Sequence, residues 1–440
     1  MRVGFGWEAT NNAAKTKGWA HTHFQFDPVG WRQTQTLKGP NMSSLSEPIG
    51  RLYLRPMHPR APGDKARAAS AVELFSDLVF ATAILFAGSQ IHHVLGQGNF
   101  GHGVVSYLLV MFFIWWTWVN FAWLSSSFEV DDWLYRSLAA IQMLGVLVVA
   151  GGVEQTFGGT VNVALIGYIT IRAAQIGQWA RASRCGGPAG RAALIYAVGI
   201  AVLAVLWVVC ALWVPFLALP LVVGELAVPI IAERIGHTPW HAPHITERYG
   251  LLTLIVLGGS LRAAAIAVSR ALGDHVPALF GVAVLSVLVA GGMWWIYFWA
   301  PHRDVINPKR YLSPLKYGYL HYFIFAAAGA FAAAVEVIID LLAHDNYLME
   351  HQAGLTLSIP VGVFVVAAWL AVLREHAPLP VSISLPVAGV LIVLEGFLPF
   401  PFIFIALTVV MLVTLLVLYQ PVPSRATEDH KSVEDTADVS

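Results

Sequence analysis

Between residues 72 and 419 the chain turns apolar for about twenty residues at a time, over and over. In order, the segments cover 72–94, 103–124, 136–153, 160–180, 191–210, 212–232, 247–270, 277–300, 316–342, 355–373, 379–396 and 399–419. About 20 apolar residues is the length a helix needs to cross the hydrocarbon core of a bilayer. In lipid each segment must satisfy its own backbone hydrogen bonds, so runs of this kind must be helical. Composition agrees: 57% of the residues are hydrophobic and only 12% are charged, too apolar for a single soluble core to hide. The pattern predicts an all-α polytopic membrane protein of about twelve transmembrane helices, with the lipid bilayer as its first partner.

Loop charges give the topology. With the N-terminus placed in the cytoplasm, nearly all of the 26 Lys and Arg residues fall in the tails and inner loops. The outer loops hold only Arg270, while Arg172 and Arg262 fall inside helices. This is the positive-inside pattern, and it places both termini in the cytoplasm. The formal net charge is zero, so bulk charge offers nothing to nucleic acid. Residues 1–70 are polar, lack a signal-peptide pattern and read as a disordered cytoplasmic tail, with Met42 and Met57 as alternative starts. Residues 421–440 read as a second tail. Cys185 and Cys210 fall on opposite sides of the membrane and should not pair.

Two halves, 71–233 and 234–420, share features in the same order. Glu73-Leu-Phe opens the first segment and Glu247-Arg-Tyr the seventh; Trp115-Trp116 corresponds to Trp294-Trp295, and Glu154 to Glu336. The matches predict two parallel six-helix repeats, with any site near their interface.

Charges are costly in lipid, so ionisable residues within the segments are the first candidates for function. Glu73 and Asp77, at i and i+4, share a helical face. Glu73 opens its helix, where the dipole favours an anion; Asp77 lies one turn deeper. Glu225 is the deepest lone acid, and Arg172 and Arg262 are the deepest bases. Ion pairs such as Arg262 with Asp77, or Arg172 with Glu225, would offset their burial. Glu336 and Asp340 form a second acid pair, with Asp340 read as a solvated rim. His92, His93 and His102 read as interfacial. GGVEQTFGG and LVAGG read as small-residue packing stretches. No nucleotide-binding, hydrolase or metalloprotease motif is present, and the residues point to no catalytic group, metal or cofactor.

VELFSDLVFA at 72–81, DDWLYRSLAAIQMLGVLVVAGGV at 131–153, ERYGLLTLIVLGGS at 247–260 and MWWIYF at 293–298 together resemble the bacterial low temperature requirement protein A (LtrA) family. Glu73, Phe75 and Asp77 match that family's first motif. Asp131, Asp132 and Arg136 match its acidic loop, and Glu247, Arg248, Gly250, Leu257, Gly258 and Ser260 its third motif. Gly259 stands where the family usually has Glu, Arg262 where it is usually apolar, and Trp299 where it often has Asp. The resemblance implies a multi-helix protein of the bacterial plasma (inner) membrane, in a family named for a cold-growth phenotype and without an established activity. Together with the intramembrane charges it leads us to expect a transporter or channel for an ion or small solute, with Glu73, Asp77, Glu225, Glu247, Ser260 and Arg262 as its site. The alternative is a non-transporting structural or regulatory membrane protein linked to growth at low temperature. A lipid enzyme ranks last. Asp77 is expected to meet Ser260 and Arg262 at similar depth.

Overall fold

The computed structural model describes residues 54–60, 68–96, 100–273, 277–302, 305–306, 312–343 and 348–420. The expected tails lie outside the described residues, apart from 54–60 and 68–70. Nearly everything described is helix: α1 (Ala71–Gly96), α2 (Phe100–Ser127), α3 (Trp133–Gly151), the short α4 (Val153–Phe157), α5 (Asn162–Ala182), α6 (Gly187–Trp213), α7 (Ala218–Ile235), α8 (Ala242–Gly273), α9 (Ala278–Phe298), α10 (Leu312–Leu342), α11 (Glu350–Ala368), α12 (Leu379–Glu395) and α13 (Pro401–Leu418). Among the described residues ten helices are long and apolar enough to cross a membrane, so the chain is an all-α, multi-pass membrane protein. Two long helices fall short of that standard for different reasons. α12 has 17 residues. α5 carries Arg172, Gln175 and Gln178, which lower its hydropathy, yet all three side chains face inward and are buried.

Small residues set the closest helix crossings, as expected where van der Waals packing drives association. α3 crosses α5 at Gly145 and Gly167: a Cβ on Gly167 would lie 2.6 Å from the Gly145 carbonyl oxygen. α1 crosses α10 at Gly88 and Gly329, where a Cβ on Gly88 would lie 2.9 Å from the Gly329 carbonyl. The apolar run 136–153 is broken in two by Gly152, which packs against the start of α5: a Cβ there would lie 2.6 Å from the Ala164 nitrogen.

Part of the polar stretch before α1 packs on the bundle. His58–Pro59 (β1) pairs antiparallel with Phe128–Glu129 (β2) between α2 and α3. Arg60 N–H donates to the Ser127 carbonyl (3.2 Å), and Arg55 N–H to Asp132 Oδ2 (3.2 Å). Arg181, near the end of α5, donates to the Arg55 carbonyl (2.5 Å) and pairs with Asp132. Met57 is buried beneath this strap. Residues 55–60 thus tie together the ends of α2, α3 and α5. Asp132 also caps α3, accepting from Tyr135 N–H at 2.9 Å.

Burial alone would raise the Asp132 carboxyl, but Arg181 and the Tyr135 and Arg55 amides hold it below the usual carboxylate range. A depressed folded pKa makes this contribution complete above the unfolded value, about 3.9, and removes it as pH falls through the lower folded value. Hydrogen exchange of residues 55–60 should therefore stay slow at neutral pH and quicken, relative to intrinsic rates, in strong acid. Asp132→Asn should show the faster exchange at neutral pH already.

Candidate functional site

Ser70-Ala-Val-Glu73 is a capping box at the start of α1. Ser70 N–H donates to Glu73 Oε2 (2.6 Å), and Glu73 N–H faces Ser70 Oγ (3.4 Å). Glu73 Oε1 also lies 3.4 Å from Nε2 of His244 on α8, and both side chains are buried. The acid therefore closes a helix end and meets a neighbouring helix.

Asp77, one turn on, is fully buried against Arg248 of α8. Arg248 grips it through two nitrogens, Nε at 3.2 Å from Oδ2 and Nη2 on Oδ1. Trp118 of α2 donates its indole N–H to Oδ1 at 2.7 Å. The third guanidinium nitrogen, Nη1, donates to Ser125 Oγ (2.8 Å), and the cation lies 5.1 Å from the Phe121 ring centroid. Each charged group thus exchanges its water for fixed donors, acceptors or ring faces, the condition under which a buried pair is tolerated.

A second such centre lies between α2, α5, α6 and α7. Arg172 Nη2 and Glu225 Oε1 are 2.5 Å apart, and both side chains are buried. Arg172 Nε donates to the Tyr168 hydroxyl (2.8 Å), which donates onward to Glu225 Oε1 (2.6 Å). Trp116 donates to Glu225 Oε2 (2.8 Å) and Trp207 to Oε1 (3.2 Å). Gln175 accepts from Arg172 (3.1 Å) and donates to the Thr117 carbonyl (2.7 Å). Trp116 and Trp118 are two residues apart, about 200° around a helix of 3.6 residues per turn. One stretch of α2 therefore serves two centres on opposite faces.

Of the two ion pairs considered from sequence, Arg172 with Glu225 forms. Arg262 with Asp77 does not, because Asp77 is held by Arg248. Arg262 lies fourteen residues further along α8, about 21 Å at 1.5 Å per residue. Its side chain is 57% exposed and pairs with Glu336 of α10. Ser260 is buried, but its hydroxyl donates to the Leu257 carbonyl of its own helix (2.6 Å). Glu247 is exposed, while its neighbour Arg248 turns inward. At Gly259 the space a side chain would take is filled by Leu85 of α1. Asp340, read as a solvated rim residue, is about one-fifth exposed, pairs with Arg270 (2.8 Å) and meets His92 Nε2 (2.6 Å).

From the sequence Arg248 is only a match to the third family motif at the edge of an apolar run, and Trp115-Trp116 only a mark of the repeat, so neither Arg248 nor the tryptophans stand out as partners of the acids. The signal available was the spacing of Trp116 and Trp118 beside buried acids. Two histidines also went unnoticed. His321 of α10 donates through Nδ1 to the Tyr317 carbonyl (2.7 Å), leaving Nε2 to accept from the Tyr297 hydroxyl (2.8 Å). His302, in the turn after α9, donates through Nε2 to the Tyr297 carbonyl and accepts from the Tyr317 hydroxyl, each at 2.8 Å. Burial pushes the His302 imidazole down to about 4, in keeping with a ring that must stay neutral to accept. This closed four-residue ring fastens α9 to α10 and faces no cavity described here.

A cavity of about 300 Å³ does reach the second centre. Its lining includes Thr156, Gly159 and Val161 around the turn between α4 and α5, Pro215 between α6 and α7, and Tyr168 and Trp207, two of the residues that hold Glu225.

Residues 68–418 match the family model described as bacterial low temperature requirement A protein (LtrA). No match was found among curated proteins.

The two ion-pair types should respond differently to mutation. Arg248→Leu leaves Asp77 buried and unpaired, a change that costs about 3–5 kcal/mol. Arg262→Ala breaks an exposed pair and should stay within about 1 kcal/mol of wild type. Thermal unfolding of purified protein in detergent checks both.

Proposed function

The chain belongs to the bacterial low temperature requirement A protein family, and from that premise we propose a transport role, not a catalytic one: a transporter or channel for an ion or small solute. The observation that carries this reading is the cavity leading to Tyr168 and Trp207, beside the buried Glu225–Arg172 pair. An intramembrane ion pair next to a cavity is the arrangement a transport path needs: a charge that can change partners, close to space a solute can enter. All twelve long helices cross the membrane in this reading, as two parallel six-helix repeats, with both termini in the cytoplasm of a bacterial plasma membrane. The cavity then lies on the outer side of the Arg172–Glu225 pair, and Gln175, bonded to the Thr117 carbonyl, on its inner side.

In such a cycle Glu225 is the moving part. Proton or solute arrival from the cavity competes for its oxygens, loosens Arg172 and lets α5 and α7 shift against α2. Asp77 has a different role. Trp118 and Arg248 occupy it fully, so it joins α1, α2 and α8 and holds the frame against which that shift occurs. Glu73 completes the same joint through His244. The site proposed from sequence thus contracts to Glu225, with Arg172 and Tyr168 added. Ser260, Glu247 and Arg262 fall outside it.

One observation favours the alternative, a structural or regulatory membrane protein serving growth in the cold. In both buried pairs each carboxylate oxygen is held by donors from neighbouring helices, as in a permanent scaffold. Proteoliposomes loaded with a pH-sensitive dye and placed in a proton gradient separate the two. Transport predicts dye-detected flux in the wild type, loss in a folded Glu225→Gln variant, and retention in Arg262→Ala. Absence of flux in the wild type, with Glu225→Gln markedly less stable than wild type, selects the scaffold.

A further inference from the structure

The cavity beside Glu225 is selective in its polarity. No charged side chain lines it, and only four side chains in its wall carry a hydrogen on nitrogen, oxygen or sulfur: Thr156, Tyr168, Trp207 and Cys210. Each of the four has already committed that hydrogen. Thr156 donates to the Gly152 carbonyl (2.9 Å), Tyr168 and Trp207 to Glu225 (2.6 and 3.2 Å), and the Cys210 thiol to the Pro215 carbonyl (3.8 Å). A hydroxyl has one hydrogen and two lone pairs. Tyr168 receives Arg172 on one pair and keeps the other. The hydroxyls in the wall can therefore accept a hydrogen bond, while no side chain there has a hydrogen left to give.

From this we propose that the cavity binds a small, uncharged molecule with an apolar body and one hydrogen-bond donor, of the alcohol or phenol class. An ion entering would lose its hydration with no charged or donating side chain in the wall to replace it. An ether or ketone of the same shape would bring a second acceptor to a wall whose side chains only accept. The size fits: an apolar cavity of about 150 Å³ already holds benzene, so about 300 Å³ takes a substituted ring or a short chain. The inference rests on the transport reading only in treating the cavity as a place of entry, and binding can be measured without flux.

Cys210 in the wall is a native reporter. With Cys185→Ala removing the other thiol, the rate at which methyl methanethiosulfonate modifies Cys210 in lipid nanodiscs reads the occupancy of the cavity. The probes are 4-propylphenol and its methyl ether. The concentration that half-protects Cys210 should be roughly fivefold lower for the phenol than for the ether, about the worth of one neutral hydrogen bond. Thr156→Val, which leaves the ion pair intact, or Tyr168→Phe should narrow the difference. Ala164→Phe, which fills the cavity, should abolish protection. Equal protection by phenol and ether overturns the donor requirement, and protection that survives in folded Ala164→Phe shows a general effect on the bilayer and overturns the site. A Cys210 that stays unreactive in the nanodisc without any probe overturns it too, because the cavity is then shut or already filled by a lipid chain. Phenol-selective protection in a protein that carries neither proton flux nor 4-propylphenol across the membrane keeps this inference and ends the transport reading alone.

Discussion

A carboxylate placed among apolar helices is tolerated only if something replaces its water, and most of this structure follows from how that is done. The replacement comes largely from α2. Trp118 turns one way to Asp77 and Trp116 the other way to Glu225, and each indole supplies a donor that is itself mostly apolar. Arg248 and Arg172 supply the opposite charge from α8 and α5. Losing either arginine would leave a bare charge in a low-dielectric interior, so helix positions that no loop fixes are fixed by charge balance. The same economy explains α5, whose polar residues make it a poor membrane helix by composition and a suitable one once packed.

The fold was legible because apolar periodicity in long segments is a strong signal, and the positions of the helices follow the apolar runs closely. The acids were legible as well: Asp77 and Glu225 stand out against their surroundings. Their partners were harder. Thr246-Glu247-Arg248-Tyr249 begins an apolar run, and charges at such an edge read as loop residues. Only the packing of α8 against α1 shows that Arg248 points inward and Glu247 outward. Arg262 was misplaced for the opposite reason. A base within an apolar run looks buried, but its side chain reaches out from α8 to Glu336, as long cationic side chains do. The Ser70 and Glu73 capping box was readable from spacing alone.

Gly259 and Arg262 set the character of α8 at one level. At Gly259 Leu85 of α1 fills the space a side chain would take. Three residues on, Arg262 stands on the more exposed side and binds Glu336, while Asp340 takes Arg270 and meets His92. The interior at this level is apolar, and the charge sits in an ionic cluster joining α1, α8 and α10.

The two buried ion pairs are chemically alike, yet only one lies beside open space. At Asp77 the capping box, His244, Trp118 and Arg248 close every side. At Glu225 the same kinds of groups leave one flank, Tyr168 and Trp207, in the wall of a cavity. A hydroxyl relay between the acid and that cavity matters because a tyrosine can change hydrogen-bond partners by rotating a single bond, whereas the bidentate grip of Arg248 on Asp77 must break as a unit. The joint built on Asp77 is therefore suited to rigidity and the one built on Glu225 to exchange. If the chain moves in function, motion belongs to α5 and α7 of the first half, carried on a frame locked at α1, α2 and α8.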